Sequence, residues 1–490
     1  MKTIINKINN VFKNIPNIHN DTKTINTRNN KLSISECVHY LFKYSNINTT
    51  KQSISSDFNF KNKIKSVDRT AFYKKEKNIH IDLYKTIYSN ISTIYNDLHH
   101  KNYLNFNKMN NLFNHNYVDI KNIFGNDFKA LAGDGTNNNT VNKGILYTNQ
   151  YCVLYDVINN VSYDKFNDNF KSFYFKNNKN NISNKNGEVN HLISFIESHK
   201  NDLKNIIFIL DRAYFKYELF DILQKYNLYY IIRLQDSCKI IDVNYIPPIN
   251  DKNYKFIINI KANNNVKIIE YKREHIKEIV SNTNKIKKIK INDSYHLITN
   301  LGNYQKCTDE IIDKLYKSRW NIEVFFKSLK SNHKFNYYKN KNTDEHEKLF
   351  YINLIMEMIV KILIYYSMKR FNLFNMKKTK IKNNVEIDIN LNVNISNLCI
   401  GVYDKLLKNI INGNLYVNLV NKFITSYFII NKNEQNRSFI RKSLMPFSKW
   451  YIKMYSNINK YKKIIEAIEN NTINDLDKNL KILAKKMTII

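Results

Sequence analysis

The stretch NIIFILDRAYFKYELFDILQKYNLYYIIRL (205–234) decides the fold class. It opens with the apolar run NIIFIL (205–210) and closes with a second, LYYIIRL (228–234). Between them YFKYELFDILQKY (214–226) repeats its apolar residues at helical spacing. Short apolar runs rich in β-branched and aromatic residues read as strands, and recurrence every three to four residues reads as helix. Strand, helix and strand in succession indicate an α/β layer.

The same pattern extends on both sides. FKALAGDGT (128–136) reads as a strand ending at a turn, TNQYCVLYDVIN (148–159) as another strand, and HLISFIESH (191–199) as an amphipathic helix, with an Asn-rich surface insert at 170–188. Residues 236–300 change character: VNYIPPI, YKFIINIK, VKIIEYKR, IKKIKIN and SYHLITNL are short strand-like runs broken by Asn, Asp and Pro, which reads as a β-rich insertion. TDEIIDKLYKSRWNIEVFFKSLKSN (308–332) then reads as one long amphipathic helix. Thr308 is placed to cap it, and Asp309 and Glu310 suit the positive end of the helix dipole.

The flanks are less patterned. Residues 1–30 are rich in Asn, Lys and Thr and read as a flexible arm. Residues 31–119 read as a helical region, with 31–58 a candidate DNA-binding module or an ordinary small helical bundle. Residues 371–490 are expected to be mainly helical. Leu349 to Met368 is the most lipid-like run, but it contains Asn353, Glu357 and Lys361, which are costly inside a bilayer, so a buried helix is expected and no membrane partner. The N-terminus has no continuous apolar run of the secretory kind, which points to an intracellular location.

Composition narrows the function. The 490 residues include 77 Lys and Arg against 42 Asp and Glu, a net charge of +35, and 43% hydrophobic residues, enough for a real core. Such a field attracts polyanions. It needs discounting, because the chain has 84 Asn, and 68 of the 77 basic residues are Lys, all residues with AT-rich codons. The nine arginines are correspondingly more informative where they fall in a site. The five cysteines, Cys37, Cys152, Cys238, Cys307 and Cys399, form no CxxC pair, so neither a zinc ribbon nor a disulfide framework is indicated.

Three carboxylates stand out. Asp134 and Asp211 each follow an apolar strand, and open α/β sheets bind ligands beyond the carboxyl ends of their strands. Either could equally be a turn or capping residue. The third is Glu323. At about 100° per residue, Tyr316, Arg319, Glu323 and Lys330 fall within roughly 60° of arc, beside a core-facing stripe of Leu315, Ile322, Phe326 and Leu329. A solvated face with an Arg319–Glu323 pair is the plainer alternative. Trp320 reads slightly better as core than as a DNA-contacting ring, and the scattered histidines read as solvated or structural.

YKSRWNIEVFFKSLK (316–330) resembles the Y-x2-R-x3-E-x6-K signature of transposases of the IS4 type, members of the DDE superfamily. Tyr316, Arg319, Glu323 and Lys330 match every fixed position; GDGT (133–136) resembles the first-Asp motif and 211–234 the second-Asp segment. The similarity covers roughly 120–365. It implies a ribonuclease-H-like core in two parts, 120–235 and 301–370, interrupted by the insertion, with the catalytic helix in the second part. It also implies catalytic and metal-binding roles for Asp134, Asp211 and Glu323, and DNA contacts from Tyr316, Arg319 and Lys330. Arg212 and Arg233 are further candidates for phosphate contact, or else structural pairs. Three hard oxygen donors suit Mg2+, with Mn2+ as a substitute.

The implied reaction is cleavage of double-stranded DNA at terminal inverted repeats and strand transfer into target DNA, by a homodimer on paired ends. Two other readings stay open at this level. One is a catalytically inactive DNA-binding relic. The other is a nuclease or resolvase on the same core.

Overall fold

In the computed structural model the described residues are 1–22, 32–45, 51–61, 67–113, 116–125, 128–142, 145–163, 173–176, 188–235, 238, 265–280, 286–335, 343–375, 379–382 and 385–434. The chain divides into two units, Met1–Asn138 with Asn149–Gln435, and Asn139–Thr148 with Asn436–Ile490. Apart from the ends of two strands, the elements below belong to the first unit.

The fold is mixed α/β, built on one sheet of order β3-β2-β1-β5-β6-β8-β7. Its strands are β1 (Lys129–Asn142), β2 (Ile145–Asp156), β3 (Val161–Ser162), β4 (Phe173–Lys176), β5 (Ile206–Leu210), β6 (Tyr229–Arg233), β7 (Lys267–Val280) and β8 (Ile286–Thr299), with β4 paired to β2 off this path. The strands β1, β5 and β6 run parallel. The pairs β2–β3, β2–β4, β6–β8 and β7–β8 are antiparallel.

Both faces of the parallel centre are covered, which is why its strands read as unbroken apolar runs. Leu131, Phe208, Leu210, Tyr230 and Ile232 pack on one side against Leu192, Phe195 and Ile196 of helix Glu188–His199 and Leu219, Phe220 and Leu223 of helix Tyr217–Lys225. The alternate residues Ala130, Ala132, Ile207, Ile209 and Ile231 join the other core, with Ile312, Leu315, Ile322 and Phe325.

Several expectations change. GDGT does not end a strand at a turn: β1 continues to Asn142, so Asp134 stands within a strand. The β-rich insertion is, in its described part, a long β7–β8 hairpin that extends the central sheet from β6, with IKKIKIN and SYHLITNL forming one strand. The runs VNYIPPI and YKFIINIK, and most of the Asn-rich insert, lie outside the described residues.

The N-terminal arm is also corrected. Residues 1–30 begin with helices Lys2–Lys13 and Ile15–Thr22, and Ile5, Ile8 and Phe12 are buried in the main core. Their three- and four-residue spacing makes one apolar stripe amid Asn and Lys, enough to anchor a helix whose average composition looks like a tail. Helix Ile34–Ser45, the first helix of the candidate DNA-binding module, has no exposed residue. The described part of 371–434 is largely helical, with helices Ile395–Gly401, Leu407–Ile411 and Val417–Tyr427, the first two joined by the π turn Val402–Leu406. It also holds a three-stranded sheet of order β11-β10-β9, from β9 (Thr379–Lys382), β10 (Val385–Val393) and β11 (Ile430–Glu434), which the sequence reading did not expect; residues 435–490 lie outside the described residues.

The lipid-like run lies in helix Thr343–Arg370, which is long and apolar enough to cross a membrane, but 89% of its most apolar window is buried inside the fold. It packs on helix Ile81–Lys101, where Tyr88 and Tyr351 meet edge to face.

Candidate active site

The parallel register of β1 and β5 pairs Ala132 with Ile209. Two residues further on each chain are Asp134 and Asp211, so the register sets the two aspartates level, Asp211 just past the end of β5 and Asp134 within β1. Gly135 N–H donates to Asp134 Oδ1 at 2.8 Å. Asp211 caps the 3-10 turn Arg212–Tyr214, its Oδ1 accepting from Ala213 N–H at 2.8 Å.

The third carboxylate comes from a helical segment packed on the face of the sheet that Asp134 shares with Ala130 and Ala132. The single helix expected over 308–332 is two, Asp309–Ser318 and Trp320–Ser331, interrupted at Arg319. There the hydrogen bonds tighten to three-residue spacing, with Arg319 N–H bonded to Tyr316 O and Ile322 N–H to Arg319 O. Thr308 caps the first helix by accepting from Ile311 N–H. The interruption leaves the faces as the periodicity placed them: Leu315, Ile322, Phe326 and Leu329 are buried, while Glu323 is one-third exposed. Trp320 is not core but 60% exposed, as its angle far from the apolar stripe requires.

Arg319 joins the carboxylates. Its Nη2 donates to Glu323 Oε1 at 2.7 Å, and its Nη1 stands 3.7 Å from Asp134 Oδ2. Burial opposes the guanidinium charge, but the hydrogen bond to Glu323 and the neighbouring negative charges outweigh it and hold its pKa above the usual value. Burial pushes the Asp134 carboxyl up to about 6; the Gly135 N–H and Arg319 pull it back, and the charges of Glu188 and Asp211 add to the rise.

Asp134, Gly135, Thr136, Glu323, Phe326, Lys327, Lys330 and Ser331 line a cleft of about 520 Å³. Burial lowers the pKa of Lys330, against the attraction of Asp134. Asp211 does not line this cleft, though its charge acts on Asp134 and Tyr316. Tyr316 is half-buried, with its ring against Tyr295 and its pKa raised by burial, while Arg319 and Arg233 pull it down. Arg233 lies over the Tyr295 ring at 5.4 Å, so it supports Tyr316 from the end of β6. Arg212 is exposed beside Asp211.

Among the described residues, no three His, Cys, Asp or Glu side chains are gathered closely enough to hold a metal ion. The Arg319 guanidinium is the cation between Asp134 and Glu323 here. The donor set nonetheless fits a divalent cation: its oxygens are hard, and a buried carboxylate that resists ionising is what such a charge offsets.

Behind the site, a buried polar network anchors helix Trp320–Ser331. Ser328 and His333 both bond Glu357 Oε2, at 3.3 and 2.9 Å, and Lys361 Nζ stands 3.6 Å from Glu357 Oε1. Asn321 donates to Val157 O and pairs with Asn160 after β2, each at 3.2 Å. Sequence reading left His333 among the histidines taken as solvated or structural, and passed over Glu188. The latter lies in the first turn of its helix, where an acidic residue looks like an ordinary partner of the helix dipole.

Residues 181–352 match the family model described as Transposase DDE domain. The matched segment contains Asp211 and Glu323; Asp134 precedes it. No curated protein matches the chain. The match supports a DDE transposase, a class of DNA-cleaving enzyme, with DNA as its substrate.

Proposed function

We propose that this protein is a transposase of the IS4 type, on a ribonuclease-H-like core, that cuts DNA at transposon ends and joins the freed 3′ ends to target DNA. The single observation that carries the reading is the β1–β5 register. It sets Asp211 level with Asp134, which itself lines the cleft with Glu323 and Lys330 and stands beside Arg319. The order of the sheet, with its parallel centre and antiparallel arm, is consistent with that core.

Asp134, Asp211 and Glu323 would hold Mg2+, or Mn2+ in its place. When bound, the metal stabilises charge on the attacking and leaving oxygens of the phosphodiester. The chain's own groups prepare the site. Arg319 keeps Asp134 and Glu323 compensated while no phosphate is present, and offers its planar fork to a phosphate once the carboxylates are engaged elsewhere. Lys330 supplies a mobile point charge at the other side of the cleft, and Tyr316 a hydroxyl held by Arg233. Lys327 adds a further cation on the exposed rim. The surplus lysines hold the duplex non-specifically. An intracellular, DNA-associated homodimer on paired ends completes the reading.

The test uses the full chain, Mg2+ and a duplex carrying the terminal repeats that flank its coding sequence. Metal-dependent nicking at the repeat ends, lost in Asp134→Ala, Asp211→Ala and Glu323→Ala with DNA binding retained, is the expected result. Salt-dependent binding without cleavage would instead identify a relic. Cleavage indifferent to the repeat, or specific to branched junctions, would identify a nuclease or resolvase.

A further inference from the structure

Asp134 stands between two glycines, and the faces of β1 make those glycines informative. Side chains alternate along a strand. Asp134 therefore shares a face with Ala130 and Ala132, whereas Gly133 and Gly135 share the opposite face with Leu131. A methyl group on Gly135 would stand 2.2 Å from Glu188 Oε1 and 2.6 Å from its carboxyl carbon. A methyl on Gly133 would stand 3.0 Å from Leu210 and 3.8 Å from the Tyr214 ring. The Glu188 carboxylate thus rests directly on the backbone next to Asp134, from beneath the sheet.

Glu188 also reaches the second aspartate. Tyr214 O–H donates to Glu188 Oε2 at 3.2 Å, and Tyr214 is only 2% exposed. Tyr214 closes the 3-10 turn that Asp211 caps. One carboxylate therefore touches the residue after Asp134 and holds the ring three residues after Asp211. An apolar side chain could fill the space but would leave the buried phenol without its acceptor, which is costly.

We propose that Glu188 is a positioning residue that locks the Asp134 and Asp211 segments in register from the face of the sheet opposite the cleft. It rests on the reading of those aspartates as the catalytic pair. Its role is to hold them, through Gly135 and Tyr214, without contacting substrate.

The experiment compares full-length wild type, Glu188→Ala, Glu188→Gln and Tyr214→Phe for cutting of the repeat-end duplex across a Mg2+ titration. Displacement of a reacting group by about an ångström can cost up to ~100-fold in rate. Glu188→Ala should lose about 10- to 100-fold and need more Mg2+ for half-maximal cutting. Glu188→Gln, whose amide oxygen still accepts from Tyr214, should recover most of the loss. Tyr214→Phe should resemble Glu188→Ala, and the double variant should be no worse than either. Wild-type cutting by Glu188→Ala overturns the proposal. So does a Gln variant as poor as Ala beside a normal Tyr214→Phe, because Glu188 would then act by charge.

Amide hydrogen exchange separates this from failure of the transposase reading. In Glu188→Ala, peptides covering 131–136 and 211–215 should exchange faster, and in Glu188→Gln they should not. If wild type cuts no DNA, the functional reading falls while exchange still decides the lock. Unchanged exchange in both segments overturns it.

Discussion

Arg319 Nη1 stands 3.7 Å from Asp134 Oδ2, linking a residue at the break between two helices to one in strand β1 of the sheet. The same guanidinium donates to Glu323 at 2.7 Å. Arg319→Ala should therefore do two things at once: leave two acidic groups without their shared cation, and remove a fork for phosphate. Loss of one preorganised donor at a reacting group costs roughly 10²–10³ in rate. Cutting should fall by about that factor, and Arg319→Lys should restore little of it, because a point charge cannot span both carboxylates. Single-turnover cleavage of the repeat-end duplex checks this, and full rescue by Lys would contradict it.

Asp134 gives the fold a pH signature. Its carboxyl is pushed up to about 6 from an ordinary 3.8, so the unfolded chain ionises more readily than the folded one. Stability is then intact below the ordinary value, falls as pH rises towards about 6, and stays lower above it. Asp134→Asn removes that cost. It should stabilise the protein by up to about 3 kcal/mol at pH 8 and by nothing near pH 3.5. Urea unfolding at the two pH values decides it, and an equal gain at both would be the wrong result.

Glu357 has the opposite sign. Burial would raise its carboxyl, but the hydrogen bond from His333 and the charge of Lys361 prevail and hold it at about 2, against an ordinary 4.5. The stability it contributes is present above 4.5 and lost as pH falls towards about 2. Removing one partner of a buried pair typically costs about 3–5 kcal/mol. Glu357→Ala should cost about that much at pH 7 in urea unfolding, and its deficit should narrow in acid. It should also loosen helix Trp320–Ser331, because Ser328 bonds the same carboxylate.

Deleting residues 1–70 would not isolate a DNA-reading module. It would strip Ile5, Ile8, Phe12, Phe42 and Phe58 from the main core, and the chain should unfold. Helix Arg69–Asn78 offers a surface that can be altered without that loss. Its buried side carries Phe72, while Arg69, Tyr73, Lys74 and Lys77 are exposed. If that face touches DNA, reversing Arg69, Lys74 and Lys77 to Glu should flatten the salt dependence of binding by roughly 0.9 for each phosphate no longer neutralised. Fluorescence anisotropy over a salt series reads the slope, and an unchanged slope removes this helix from the interface.

The central β-α-β segment was legible because its signals are local. Residues 206–210 and 229–233 form the strands that their apolar runs describe, and 217–225 the helix between them. Periodicity also placed Arg319 and Glu323 on one face beside the buried Leu315, Ile322 and Phe326, because a helix repeats its geometry every few residues. The loose-arm reading of residues 1–30 missed because average composition hid a single apolar stripe. The hairpin of β7 and β8 was read as a separate insertion because strand pairing is not written in the strands that make it.

By itself the sequence determined the central strand-helix-strand segment and the face on which Arg319 and Glu323 lie. The tertiary structure alone decided that Arg319 would reach Asp134 as well as Glu323, and that Glu188 would rest beneath Gly135. The physical reason is distance along the chain. Backbone periodicity dictates the face on which a side chain lies, but its partner comes from another element, chosen by sheet register and core packing that no local pattern contains.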